Sequence, residues 1–488
     1  MKNLQVSDND LFGNRFNGHD LHLYLRDNGI ESNQIVWQKR SKDPFTFEIA
    51  RNIENRYSIN SESNSIQKTF STHASLYPFS YSLFFDSLFL ETDIVHYHLI
   101  HNYFFNISHL PMLTKLKPTV WSLHDPWAVT GHCIHFFACD KWKYGCGDCP
   151  NMGSDFVLQN DATALNWEMK KQIYSMCKLD IVVVSKWMYE VAKASPLINH
   201  FDIHLIPLGI NKEHFYPINK AEAKKFFKIP ANNKVLAFRA TTDKLKGLQS
   251  IKEALNGLDL ENVSILTNDH VGLLDEYKNR FQIIDMGWIH DFNEMRNFYS
   301  AADLFLMPSM AETFGLSAVE SMACGTPVIG FSGTALADTI GAPVSGVIVP
   351  AGSHEALCST IKALLQDDER RAKLSSSAIE LIRDRHGITS YISSMTDLYH
   401  EVIKKRGEDK RAIYIVNQLA AIQTETEVSR DCGKADEVKA NIETVIPLTE
   451  SMKIDNGRQS FKIKVKNKIK KYPLLAKVLR PIYKRLKR

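Results

Sequence analysis

Short apolar runs alternate with amphipathic stretches along most of the chain. Residues 4–7 read as a strand, followed by a polar loop from Asp8 to Gly18 and by apolar positions at helical spacing up to Asn28-Gly29. Further strand patterns occur at 93–98, 118–125, 179–184, 234–239, 263–267, 283–286 and 304–307. Amphipathic helices are predicted at 295–302, 375–385 and 392–405, and in the last of these Met395, Leu398, Tyr399 and Val402 share one face. Residues 41–80 are polar and irregular, with only a helical hint at 47–53. Strands that alternate with helices predict parallel sheets, so the expected fold class is α/β with doubly wound domains.

The densest signal lies between Leu304 and Gly330. An apolar run stops at Pro308, Gly315 frees the backbone of a turn, a short helix follows, and Gly325-Thr326-Pro327 ends it before the next apolar run. A strand–turn–helix of this kind points bare N–H groups and the positive helix end outward, which makes an anion site. Glu312 stands before the turn and Glu320 about one turn inside the helix, so a diphosphate would lie between two acceptors for sugar hydroxyls. The plainer reading of the same residues is a capping box of Ser317 and Glu320 beside a solvated Glu312.

A length of 488 residues predicts two or three domains, and 44% hydrophobic residues suffice for ordinary cores. No apolar leader opens the sequence and no run approaches the ~18 apolar residues of a membrane span, so the expected location is the cytoplasm. The net charge of +4 is unevenly placed: residues 461–488 hold twelve Lys or Arg and no acid, leaving the remainder net acidic. In that tail Val465, Ile469, Tyr472, Ala476, Leu479, Tyr483 and Leu486 recur at steps of four and three. The pattern predicts peripheral binding to the anionic inner face of the membrane, against the plainer reading of a solvated basic tail. Without readout elements in the folded part, no nucleic-acid partner is expected.

The spacing from Glu312 to Glu320, with Phe314-Gly315-Leu316 inside it and Gly325-Thr326-Pro327-Val328 after it, resembles the signature of retaining glycosyltransferases of the GT4 type, which have the GT-B fold. The resemblance covers roughly residues 1–405. It implies two Rossmann-like domains facing a cleft: an N-terminal acceptor domain (1–205) and a C-terminal nucleotide-sugar domain (206–388), then a helix crossing back (389–405), a polar linker (406–460) and the basic tail. It also implies a hexosyltransferase that uses a nucleotide sugar and a glycan or lipid-linked acceptor, with no cofactor for catalysis. By the same likeness Glu320 would bind the ribose, and Glu312 with the amides of Phe314, Gly315 and Leu316 the donor sugar. Arg239 and Lys246 would clamp the departing diphosphate, with Lys244 as the alternative to Lys246. His124 would contact the donor sugar, and Gly13 would lie near the donor phosphate. Two departures from the family pattern stand out: Asn14-Arg15 follows Gly13 where a second glycine is usual, and Leu208 replaces an Asn in the hinge passage.

Four of the eight cysteines, Cys133, Cys139, Cys146 and Cys149, fall within seventeen residues. The run from His124 to Pro150 resembles an insert in a GT4 subgroup associated with exopolysaccharide and lipopolysaccharide synthesis. One Cys-x2-Cys pair with two further thiols suits a structural tetrahedral zinc ion, and four reduced thiols in a compact loop are the alternative. Two other functions would share the fold, a nucleotide-sugar epimerase and a catalytically inactive binding subunit. Incubation with donor alone separates the epimerase, which needs no acceptor.

Overall fold

The computed structural model describes residues 1–11, 15–153, 156 and 158–407. Gly13, almost all of the linker expected at 406–460 and the tail at 461–488 lie outside the described residues. Two all-parallel sheets carry the fold. The first joins β1 (Lys2–Asn9), β2 (Glu31–Gln38), β3 (Thr46–Glu48), β4 (Ile94–Tyr97), β5 (Thr119–Leu123), β6 (Asp180–Val183) and β7 (Ile203–Leu205) in the order β3-β2-β1-β4-β5-β6-β7. The second joins β8 (Lys234–Ala240), β9 (Val263–Asp269), β10 (Gln282–Asp285), β11 (Leu304–Met307), β12 (Val328–Phe331) and β13 (Val347–Val349) in the order β10-β9-β8-β11-β12-β13. Every residue of β4, β5, β6 and β12 is buried, as strands covered by helices on both faces require. The architecture is therefore α/β, with two Rossmann-like domains.

Each sheet reverses its winding beside its first strand, between β1 and β4 and between β8 and β11. In open α/β sheets the strand C-termini at such a switch point leave a crevice, because the two connecting loops run off in opposite directions.

The region 41–80 departs from the irregular reading. It contains β3 and a fifteen-residue helix, Arg56–Phe70. The buried face of that helix is polar: Arg56, Asn60, Ser63 and Gln67. Arg56 Nη1 donates to the Ile49 carbonyl at 2.9 Å, and Gln67 Oε1 accepts from the Ser75 amide at 2.9 Å. A helix that buries hydrogen-bonding side chains shows no apolar period.

The chain crosses between the sheets twice, and the crossings are stitched together. The Ile210 amide donates to the His386 carbonyl at 2.7 Å, and Ile210 forms an isolated bridge with Gly387. The last helix, Ile388–Arg406, then returns to the first sheet. Tyr399 enters the core, and Arg406 and Lys405 pair with Asp180, which is buried at the start of β6.

Candidate active site

A cavity of about 400 Å³ opens where the two switch points face each other. From the first domain it is lined by Leu99 beyond β4, His124 and Asp125 beyond β5, and Val184 beyond β6. From the second come Arg239 on β8, Lys246, Met307 at the end of β11, and the turn from Glu312 to Ser317. Parallel strands thus deliver residues far apart in sequence to one crevice.

On the second domain the cations are held in place. Lys246 Nζ lies 2.7 Å from Glu312 Oε1, and Arg239 Nε donates to Asp269 Oδ2 at 2.6 Å, which leaves both Nη groups of Arg239 for a ligand. The Arg239 guanidinium also lies 5.5 Å from the Trp288 ring centroid. Lys246 reaches the cavity because the next residue, Gly247, adopts φ 75° and presses against Pro308; a Cβ there would stand 2.0 Å from the Pro308 carbonyl oxygen. Lys244 is exposed and stands outside the lining.

The turn from Glu312 to Ser317 opens a helix at the cavity wall. Gly315 has φ 93° and begins the helix Leu316–Ala323 with no side-chain cap; the Ala318 and Val319 amides donate to its carbonyl, which leaves the Leu316 and Ser317 N–H groups without an intrahelical acceptor. Ser317 and Glu320 form no capping box. Glu320 is instead buried at 2% exposure, where the Tyr299 hydroxyl donates to its Oε2 at 2.8 Å and Arg15 of the first domain pairs with its Oε1. Glu320 is the one expected donor contact among the described residues that does not line the cavity, and a ribose would reach it only once Arg15 moves aside.

His124 is set from behind by a buried chain of hydrogen bonds. Its Nε2 lies 3.2 Å from His98 Nδ1, and His98 Nε2 lies 2.7 Å from Gln5 Oε1. Gln5 Nε2 donates to the Tyr399 hydroxyl at 3.2 Å, and that hydroxyl lies 2.7 Å from His96 Nδ1. With the Gln5 carbonyl accepting, His98 carries its hydrogen on Nε2 and takes the His124 Nε2 hydrogen on Nδ1. His124 is thereby left with a bare Nδ1, an atom with no protein partner. Burial pushes its pKa down to about 4 despite the nearby Asp125 carboxylate, so the ring is neutral near pH 7.

The sequence reading missed His135 and Ile134, which bring the cysteine-rich insert to the cavity wall. His135 stacks on Trp187 with centroids 5.6 Å apart, and burial together with the Lys246 charge pushes its pKa down to about 4. Behind it, Cys133, Cys139, Cys146 and Cys149 line one small void of about 10 Å³ with His132. No group of three or more His, Cys, Asp or Glu side chains among the described residues is drawn together closely enough to hold a metal ion.

Residues 219–381 match the family described as Glycosyl transferases group 1, and so include most of the second domain and its share of the cavity. The chain is 29% identical over 219 residues to the D-inositol 3-phosphate glycosyltransferase of Xylanimonas cellulosilytica, a match covering 42% of this chain and 52% of that protein. The chain thus spans about half the length of the curated relative it matches. Among solved structures, Anabaena HepE in complex with UDP-glucose superposes with a TM-score of 0.57 at 13% identity, covering 82% of this chain and 100% of that one. WaaG, a glycosyltransferase involved in lipopolysaccharide biosynthesis, superposes with a TM-score of 0.55 at 13% identity, covering 82% and 99%. At such identities the two structures establish the fold, which is GT-B.

Proposed function

We propose that this protein is a retaining glycosyltransferase that moves a hexose from a nucleotide sugar to a lipid-linked glycan acceptor in surface polysaccharide synthesis. One observation carries the reading: Arg239, Lys246 and the uncapped N-terminus of the helix Leu316–Ala323 converge on one cavity, opposite His124. Breaking the bond between sugar and diphosphate puts negative charge on the leaving group. Fixed cations and N–H dipoles that already face that position lower the barrier without reorganising. Glu312, held by Lys246, is placed to accept from hydroxyls of the donor sugar, and His124 lines the cavity from the other domain. HepE, a structural neighbour solved with UDP-glucose, supports a nucleotide-sugar donor, and WaaG, one involved in lipopolysaccharide biosynthesis, supports a glycan acceptor. The basic tail would hold the enzyme at the inner membrane surface where such an acceptor is presented.

The test is transfer from UDP-, GDP- and dTDP-sugars to lipid-linked acceptors in anionic vesicles. A glycosylated acceptor that keeps the anomeric configuration of the donor supports the proposal. Conversion of the donor in the absence of acceptor would replace it with an epimerase.

The hydrogen-bond chain behind His124 gives a second expectation. His98→Leu removes the acceptor of the His124 Nε2 hydrogen, and loss of one such bond lowers kcat by about tenfold. His98→Gln keeps an acceptor and should recover most of the rate. Equal losses in the two variants, both folded by circular dichroism, would show that His98 does not act through His124.

A further inference from the structure

On the transferase reading of this cavity, we infer that His135 donates a hydrogen bond from Nε2 to the diphosphate of the nucleotide sugar, and that the cysteine-rich insert serves to bring this donor to the cavity. His135 is 4% exposed and forms part of the cavity wall. The Phe137 amide donates to its Nδ1 at 3.1 Å, so the neutral ring carries its hydrogen on Nε2. That Nε2 is buried and has no hydrogen-bond partner among the described residues. A buried N–H left unpaired is costly, and a ligand oxygen in the cavity would pair it.

The neighbours of the ring point to an anionic oxygen. Burial and then the Lys246 ammonium push the pKa of His135 down to about 4, while Asp125 pulls it up, so the ring lies within electrostatic reach of Lys246. Lys246 and Arg239 line the same cavity, as do Leu316 and Ser317, whose N–H groups open the helix. A ligand group that meets two cations and two such N–H groups is an anion, and in a nucleotide sugar that group is the diphosphate. On the first-domain wall the other polar side chains are His124, whose Nε2 faces His98, and Asp125, a carboxylate. His135 is therefore the side-chain donor that this wall offers the anion from the opposite side.

A neutral ring suits that place, because a protonated one would put a like charge beside Lys246. As the bond from the anomeric carbon to the diphosphate oxygen breaks, its electron pair stays on that oxygen. The acceptor oxygen forms the new bond, and its proton leaves with the released diphosphate. His135 keeps its own hydrogen and stabilises the growing negative charge. Packing holds the ring for this role: it stacks on Trp187, in the first turn of the helix Lys186–Ala194, with an interplanar angle of 8°.

Two variants separate the donor from a structural role. His135→Asn sets an amide oxygen where Nδ1 stood, keeping the acceptor for Phe137 and removing the Nε2 donor. His135→Gln sets an amide N–H near the Nε2 position and removes the near acceptor. UDP, GDP, dTDP and inorganic pyrophosphate are titrated into the full chain. Pyrophosphate, and the nucleotide that binds the wild type most tightly, should bind His135→Asn about 10- to 100-fold more weakly, the loss expected for one hydrogen bond to a charged group. His135→Gln should stay close to the wild type. A purely structural role reverses that order. Unchanged affinity in a folded His135→Asn protein, or equal losses in both variants, would overturn the assignment and leave the transferase reading in place. A wild type that binds none of the three nucleotides would overturn that reading and the assignment with it. A further measurement needs no variant: in wild-type protein labelled with ¹⁵N-histidine, the Nε2–H resonance of a neutral ring should shift when pyrophosphate is added. Histidine resonances that do not respond would also overturn the assignment.

Discussion

Lys246→Ala should lower kcat for sugar transfer by about 10²- to 10³-fold with the fold intact, the usual cost of removing one preorganised donor from a developing oxyanion. The structure adds a second term of the same sign. Lys246 neutralises Glu312, whose side chain is 11% exposed and lines the same cavity. Removing the ammonium leaves that carboxylate facing the diphosphate, so nucleotide affinity should fall as well as the rate. Lys246→Ala/Glu312→Gln should therefore recover part of the affinity while kcat stays low. Arg239→Ala should cost a similar factor in kcat, because Asp269 fixes the guanidinium through Nε alone. Steady-state kinetics with a nucleotide-binding titration separate the terms. A Lys246→Ala enzyme that transfers at the wild-type rate would remove Lys246 from the site, and a large loss in Lys244→Ala instead would move the role to that residue.

The legibility of this protein follows from where its hydrogen bonds and apolar groups lie. Strands such as Thr119–Leu123 and Leu304–Met307 are buried on both faces, save for Met307 at the cavity, so their apolar runs stand out in the sequence, and alternation with helices was enough to imply two parallel sheets. The turn at Gly315 was visible for a similar reason, since only a glycine between an apolar run and a helix suits that backbone. The helix Arg56–Phe70 was invisible because its inward face hydrogen-bonds instead of packing apolar surface. His135 gave no signal either. Its place on the cavity wall depends on how the insert folds back onto Trp187, a contact between residues far apart in sequence.

Arg15 shows the limit of reading a motif residue by residue. The resemblance implies a ribose contact at Glu320, and in the structure Glu320 is a buried carboxylate that accepts from the Tyr299 hydroxyl. What the sequence does not reveal is its partner, supplied across the cleft from the loop that departs from the family's paired glycines. A glycine there could not reach Glu320. The departure at Arg15 therefore ties the two domains together at the point where the resemblance would place the nucleotide.

Acidification from pH 7 to pH 5 should destabilise the protein strongly, lowering its thermal midpoint by roughly 10 °C or more. Burial holds His22, His124, His135 and His386 at pKa values of about 4 and His73 at about 3. Burial likewise keeps His96 and His98 well below the ordinary value. Unfolded histidines titrate near 6.5, so as pH falls through 6.5 the unfolded chain takes up protons that the native state refuses. More protons bound in the unfolded state means that stability rises with pH. The contribution is therefore complete above about 6.5 and is lost progressively towards 4. His96, His98 and His124 reinforce one another, because with His98 Nδ1 only 3.2 Å from His124 Nε2 a charge on either ring faces its neighbour in a buried site. Scanning calorimetry at constant ionic strength, from pH 8 to pH 5, should give a nearly flat midpoint above pH 7 and a steep fall below 6.5. A midpoint unchanged between pH 7 and pH 5 would mean that these rings take up protons in the native state, and that His124 is not kept neutral.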